Sequence, residues 1–176
     1  MYLTTEKIES QKVIRACQIA QETIENGSKI VIFTTFKDSA EDIYNRLKDY
    51  NPLLCTGDTK EVDINKNIEL FQTSPLYKIM VATYSKMGTG VTLTAADTMV
   101  FISLPWTMAL ANQAEDRIYR IGTKRPVFIY RLSCKDTIDE RVLEIVNDKS
   151  AISDYFVDDK VSQQTINSLR KYIEEL

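Results

Sequence analysis

The sequence predicts an α/β domain with a mainly parallel central sheet and helices on both faces. Its strand-like runs, at 29–36, 52–55, 77–83, 98–103 and 127–132, are short and almost continuously apolar, with many β-branched residues, as in strands buried on both sides. Between them lie amphipathic segments with apolar residues three and four apart, the helical period. Polar and glycine-bearing loops follow the strands, and the carboxyl ends of parallel strands are where such sheets hold ligands.

The spacing of Ile8, Val13, Ile14, Cys17, Ile19, Ala20 and Ile24 predicts a first helix over 4–26, with Gly27 as its stop. The run 29–36, KIVIFTTF, is the first strand. Asp38 or Ser39 is the expected cap of the next helix, which turns Ala40, Ile43, Tyr44 and Leu47 to the sheet. Strand 52–55 leads through a turn at 56–59 into a helix over 62–72. Strand 77–83, a glycine loop, strand 98–103, a helix over 108–119, strand 127–132 and a helix over 138–146 complete the alternation.

At 176 residues, 44% hydrophobic and 27% charged, the chain has material for one well-buried core. Residues 1–28 are expected to pack on or lead into the domain, 29–149 to form it, and 150–176 to be a helical extension. No apolar run suits a bilayer span and the first residues lack a secretion-signal pattern. These features predict a soluble intracellular protein, in cytoplasm, nucleoid or, in a eukaryote, nucleus, with no membrane partner. Cys17, Cys55 and Cys134 have no paired spacing, so neither a metal centre nor a disulfide framework is suggested. The absence of histidine removes imidazole catalysis and histidine ligation. A net charge of −3 provides no global attraction for a polyanion, so any nucleic-acid contact must be local.

The most informative segment is 113–122, QAEDRIYRIG, in which Gln113, Arg117 and Arg120 share one helical face. Two guanidiniums on one face suit a phosphate chain, although Glu115 and Asp116 offer a plainer pairing on a solvated helix. Upstream, 82–97 leaves a strand into a loop carrying Gly88, Thr89 and Gly90. Backbone N–H groups there can approach phosphate closely, although glycines after a strand are ordinarily turn punctuation.

Together these segments resemble motifs VI and V of Swi/Snf-type, superfamily 2 helicase-like ATPases. Tyr119 stands where that family usually has histidine, Met87-Gly88 where it has a glycine pair, and Thr92 where it has asparagine. Ser103 replaces the aspartate before Trp106, itself read as a packing aromatic, and Thr107-Met108 replaces an asparagine–proline pair. Run 29–36 is similar to motif IV, Thr56-Gly57-Asp58 to the family's next glycine-containing turn, and 127–132 with 137–141 to its last strand and helix start. Thr137 and Glu140 are the expected capping box of that helix.

The resemblance implies a RecA-like lobe, a P-loop NTPase-type fold lacking the P-loop, and the second of the motor's two lobes. The phosphate loop and magnesium-holding acids belong to an N-terminal lobe, supplied by the same polypeptide or another chain. ATP with Mg²⁺ is therefore expected to bind mainly there, none of it tightly to this chain, and this chain alone to be inactive. Arg117 and Arg120 are the implied arginine fingers. Gln113, Gly88 and Gly90 join them at the nucleotide, and Thr34, Thr35, Thr56, Gly57, Thr83 and Thr89 are implied contacts to double-stranded DNA. Three readings stay open here: a piece of a longer motor, a stand-alone lobe, and a noncatalytic protein-binding adaptor.

Overall fold

The computed structural model describes residues 10–85, 91–103, 108–118, 126–137, 139, 140 and 142, with backbone alone at 108–110. In chain order the elements are α1 (Gln11–Glu25), β1 (Ile30–Thr34), α2 (Lys37–Arg46), a 3₁₀ turn (Lys48–Tyr50), β2 (Leu53–Cys55), α3 (Glu61–Thr73), β3 (Ile79–Thr83), β4 (Thr98–Phe101), α4 (Met108–Glu115) and β5 (Phe128–Arg131). The strands form one five-stranded sheet in the order β2-β3-β1-β4-β5. Every pairing is parallel.

Alternation along the strands sends residues to two cores. Ile30, Ile32, Ile79, Val81 and Val100 pack with Val13, Ala16, Ile19 and Ala20 of α1 and with Ala40 and Ile43 of α2. Val31, Phe33, Met80, Ala82, Met99 and Phe101 meet Ile64 and Phe71 of α3, Ala114 of α4, and Leu93 and Ile118 beside them. The central strands β1, β3 and β4 are buried throughout, which explains their unbroken apolar runs. Edge strand β5 has Phe128 and Tyr130 exposed.

The first helix ends as its glycine predicts. Gly27, at φ 79°, donates its N–H to the Ile24 carbonyl, and Ser28 donates to Thr23, the paired bonds of a Schellman stop. The cap of α2 differs from expectation. The helix begins at Lys37 with Phe36 as its N-cap and no side-chain capping bond, while the Phe36 N–H is taken by the Thr34 hydroxyl. Asp38 falls in the first turn, where its charge meets the positive end of the helix.

The helix expected over 108–119 ends at Glu115 and tightens into i→i−3 bonds, Arg117 N–H to Ala114 and Ile118 N–H to Glu115. Residues 139, 140 and 142 are helical. The Thr137 hydroxyl accepts from the Asp139 N–H at 3.3 Å, but Glu140 reaches the Asp136 N–H rather than that of Thr137. The capping box is thus displaced by one residue at its acidic end, because Asp136 takes a left-handed conformation, φ 58°, that turns its N–H toward the helix. No helix among the described residues is long and apolar enough to cross a membrane.

Candidate functional site

The register places Thr34 opposite Thr83 and Cys55 opposite Ala82. Thr56 therefore lies level with those threonines across the carboxyl ends of β2, β3 and β1. All three are buried: Thr34 0%, Thr56 3% and Thr83 4% exposed. Strand alternation sends these side chains to the face of Ile32 and Val81, while the hydroxyls bond along the edge: Thr34 Oγ1 accepts the Phe36 N–H at 3.2 Å and lies 3.4 Å from Ser103 Oγ, and Thr83 Oγ1 lies 3.4 Å from Ser85 Oγ. The solvent side of this edge consists of Thr35, Phe36, Gly57, Asp58 and Ser85.

Ser103 ties this edge together. Its hydroxyl accepts the Thr35 N–H at 2.8 Å and donates to Thr35 Oγ1 at 3.1 Å, joining the ends of β1 and β4. Its carbonyl accepts the Tyr84 hydroxyl at 2.8 Å, which adds β3. Below that bond Tyr84, Phe33 and Phe101 stack, with ring centroids 5.5, 5.8 and 6.0 Å apart pairwise. Burial raises the Tyr84 phenol well above its ordinary range, so it stays a donor. Lys37, at the start of α2, pairs with Asp58 across the β3 end and with Glu41 on its own helix. The hydrogen bond it donates to Asp58 raises its pKa.

A second group of residues lies on the α3/α4 face. Residues 91–95, which precede β4, form a strap on this face, with Leu93 buried in its core. Gln72, in the last turn of α3, donates through Nε2 to the Thr92 carbonyl at 2.8 Å and accepts the Ala95 N–H through Oε1 at 2.8 Å. From the other side, the Leu93 N–H donates to the Arg117 carbonyl at 2.8 Å. Arg117 Nη1 donates to the Val91 carbonyl at 3.4 Å. Its Nε is buried and has no acceptor among the described residues. Such a group costs on the order of 1–3 kcal/mol if it stays unsatisfied.

Glu115 does not answer Arg117. It pairs with Arg131 of β5, whose guanidinium lies 5.9 Å from the Phe101 ring centroid. Gln113 is partly exposed on α4. The structure therefore gathers Thr34, Thr35, Thr56, Gly57 and Thr83 at the carboxyl edge and places Arg117 apart from them, against the strap. Gly88, Thr89, Gly90, Trp106 and Arg120 lie outside the described residues. Among the described residues no group of His, Cys, Asp or Glu is placed to hold a metal ion.

Residues 11–122 match the helicase conserved C-terminal domain. The chain belongs to that family. It is 32% identical over 146 residues to an uncharacterized ATP-dependent helicase of Mycoplasma genitalium, covering 82% of this chain and 14% of that protein. It is 31% identical over 161 residues to the chromatin-remodeling ATPase INO80 of Mycosarcoma maydis, covering 90% of this chain and 8% of that protein. The chain thus spans about a seventh or less of these curated relatives. The Sulfolobus solfataricus SWI2/SNF2 ATPase core domain superposes with TM-score 0.71 at 30% identity, over 92% of this chain and 34% of that one. In its complex with dsDNA the values are 0.66 and 29%, over 81% and 30%. The helicase C-terminal domain described here is accordingly the RecA-like C-terminal lobe of the Swi/Snf type.

Sequence reasoning missed Gln72, Tyr84 and Arg131. A glutamine near a helix end carries no sign that the chain twenty residues on will fold back to it. The departures at Thr92 and Ser103 were visible, and each proves to be a bonding position: Thr92 through its carbonyl, Ser103 through its hydroxyl.

Proposed function

We propose that this helicase C-terminal domain is the second motor lobe of a DNA-dependent ATPase that translocates on double-stranded DNA, acting inside the cell. Its partner is an N-terminal RecA-like lobe, of the same polypeptide or another, that binds most of the ATP and Mg²⁺. The reading is supported by one packing relationship: the turn carrying Arg117 is bonded to the strap that follows the glycine loop. Arg117 and Arg120 reach to the β- and γ-phosphates and neutralise charge that develops as the terminal phosphoryl group passes to water. A finger of this kind is typically worth about 10³ to 10⁵ in turnover. Gln113, Gly88 and Gly90 help to position the nucleotide.

On the DNA side, Thr35 and the Gly57 backbone are the exposed donors, and Thr89 joins them from the glycine loop. Thr34, Thr56 and Thr83 support that edge from within. Such contacts fix the position of a phosphate backbone without reading its sequence. The DNA complex of the Sulfolobus solfataricus protein supports duplex DNA as the ligand. The deciding experiment is DNA-stimulated ATP hydrolysis by this chain with and without the N-terminal lobe, for wild type, Arg117→Ala and Arg120→Ala. Activity that needs both lobes and collapses on removal of either guanidinium is expected. Full turnover without the guanidiniums overturns the assignment.

A further inference from the structure

The strap at 91–95 is bonded to two residues, Gln72 of α3 and Arg117 in the turn after α4. On one side Gln72 grips it with both ends of its side-chain amide, donor to Thr92 and acceptor from Ala95, each bond at 2.8 Å. On the other side it holds Arg117 twice, by backbone through Leu93 at 2.8 Å and by guanidinium through Val91. Leu93 itself is fully buried in the α3/α4 core, so the strap cannot slide without breaking that packing. The guanidinium bond is long, at 3.4 Å, and Nε is buried without an acceptor among the described residues. The resting place of Arg117 is therefore weakly held by its own side chain and strongly set by the strap's backbone.

We propose that Gln72 is a positioning residue for Arg117, acting through the strap. A glutamine is suited to the place because only a side chain with both a donor and an acceptor can hold a carbonyl and an N–H of the same short segment. Its location favours a lasting role. Helix α3 joins the carboxyl end of β2 to the amino end of β3, so its last turn is anchored by Phe71, which is fully buried. Two carbonyls there, those of Phe71 and Ser74, accept Lys29 Nζ. The strap is thus fastened to a fixed point, and Arg117 is held by the strap. Loss of the amide leaves Leu93 packed but removes the bonds to the Thr92 carbonyl and from the Ala95 N–H, and the backbone at Val91 and Leu93 that locates Arg117 drifts.

This inference deepens the proposed function and rests on it for its kinetic test, but not for its structural one. Hydrogen exchange on this chain compares wild type with Gln72→Leu, and with Gln72→Glu, which can still accept from Ala95 but no longer donate to Thr92. The Leu93 amide, bonded to Arg117 and not to Gln72, is expected to exchange at least tenfold faster in Gln72→Leu and by an intermediate factor in Gln72→Glu. The Val31 and Ile32 amides of the central strand stay unchanged. Leu93 protection within twofold of wild type in both variants overturns the inference. With the N-terminal lobe supplied, Gln72→Leu is expected to lower kcat at least tenfold with KM for ATP within twofold. In an Arg117→Ala background it should add nothing further, and an equal loss in that background overturns the coupling. Should Arg117→Ala itself hydrolyse ATP normally, the finger assignment fails, and the exchange result still decides the strap.

Discussion

Lys12 Nζ lies 2.7 Å from Asp139 Oδ2, fastening the first turn of α1 to the chain that follows β5, 127 residues away. The same carboxylate accepts the Cys134 N–H at 3.0 Å. Partial burial raises the Asp139 pKa, but the Lys12 bond, the Cys134 N–H and the Thr137 hydroxyl outweigh it and hold the acid below its ordinary value. A depressed folded-state pKa contributes stability above the unfolded value, about 3.9, and loses it as pH falls through the folded value. Asp139→Asn is therefore expected to lose about 1–2 kcal/mol near neutral pH, the range of a partly buried charged hydrogen bond. Urea unfolding at pH 7 and pH 3 checks it: the gap between variant and wild type should narrow at the lower pH. A constant gap would show that the charge contributes nothing.

The sheet was legible because its strands are buried on both faces, so Ile30–Thr34 and Ile79–Thr83 read as continuous apolar runs whatever their neighbours. Gly27 was legible because a helix stop of this type needs a left-handed residue. The α2 cap was not, since the helix begins at Lys37, ahead of both expected caps, with Phe36 at the cap position and no side-chain capping bond. The site divides along the same line. Arg117 was singled out by its spacing with Gln113 and Arg120, but its setting depends on a long-range fold of 91–95 against α3 that no local pattern encodes. Thr34, Thr56 and Thr83 stood out at strand ends, but their burial follows from strand parity combined with which helices cover which face.

Lys29, which opens the first strand run, has a structural role. Its ammonium donates to the Phe71 and Ser74 carbonyls at the end of α3 and lies 5.3 Å from the Phe71 ring centroid. Burial, with the nearby Lys78 charge, lowers its pKa. The bonds cap orphan carbonyls at the negative end of the helix. Lys29→Met, which keeps the stem, should cost about 1–3 kcal/mol, mainly from unsatisfied carbonyls. Denaturant midpoints measure the loss, and exchange at the Ser74 amide should rise if α3 frays from that end. A variant as stable as wild type would mean the carbonyls find water instead.

The three thiols should separate by reactivity. Burial pushes Cys17 and Cys55 up to about 11, against smaller opposing effects of Arg46 on Cys17 and of the Asn67 bond on Cys55. Cys134 is partly exposed. Because the thiolate is the nucleophile, the buried pair should react on the order of a hundredfold more slowly at pH 8 than an ordinary exposed cysteine. Ellman's reagent should therefore titrate one thiol quickly and two only on unfolding in urea. Rapid release of three equivalents from the folded chain would contradict the burial of Cys17 and Cys55.

Tyr84→Phe tests whether the edge is held by its hydroxyl or by its ring. The phenylalanine keeps the stack on Phe33 and Phe101 but deletes the donor to the Ser103 carbonyl, a loss expected at about 1 kcal/mol. Tyr84→Leu removes the ring stacking as well and should cost about 2–4 kcal/mol. Alkaline titration supplies an independent signature. Since burial raises the folded-state pKa of Tyr84, the stability it confers as a neutral phenol is present below the unfolded value, about 10, and is lost as pH rises beyond it. In the wild type one tyrosine should resist ionisation until the fold itself gives way, and in Tyr84→Phe that late step should be absent. If the late step persists, another buried tyrosine produces it; if the two variants are equally stable, the ring contributes no packing that leucine cannot replace.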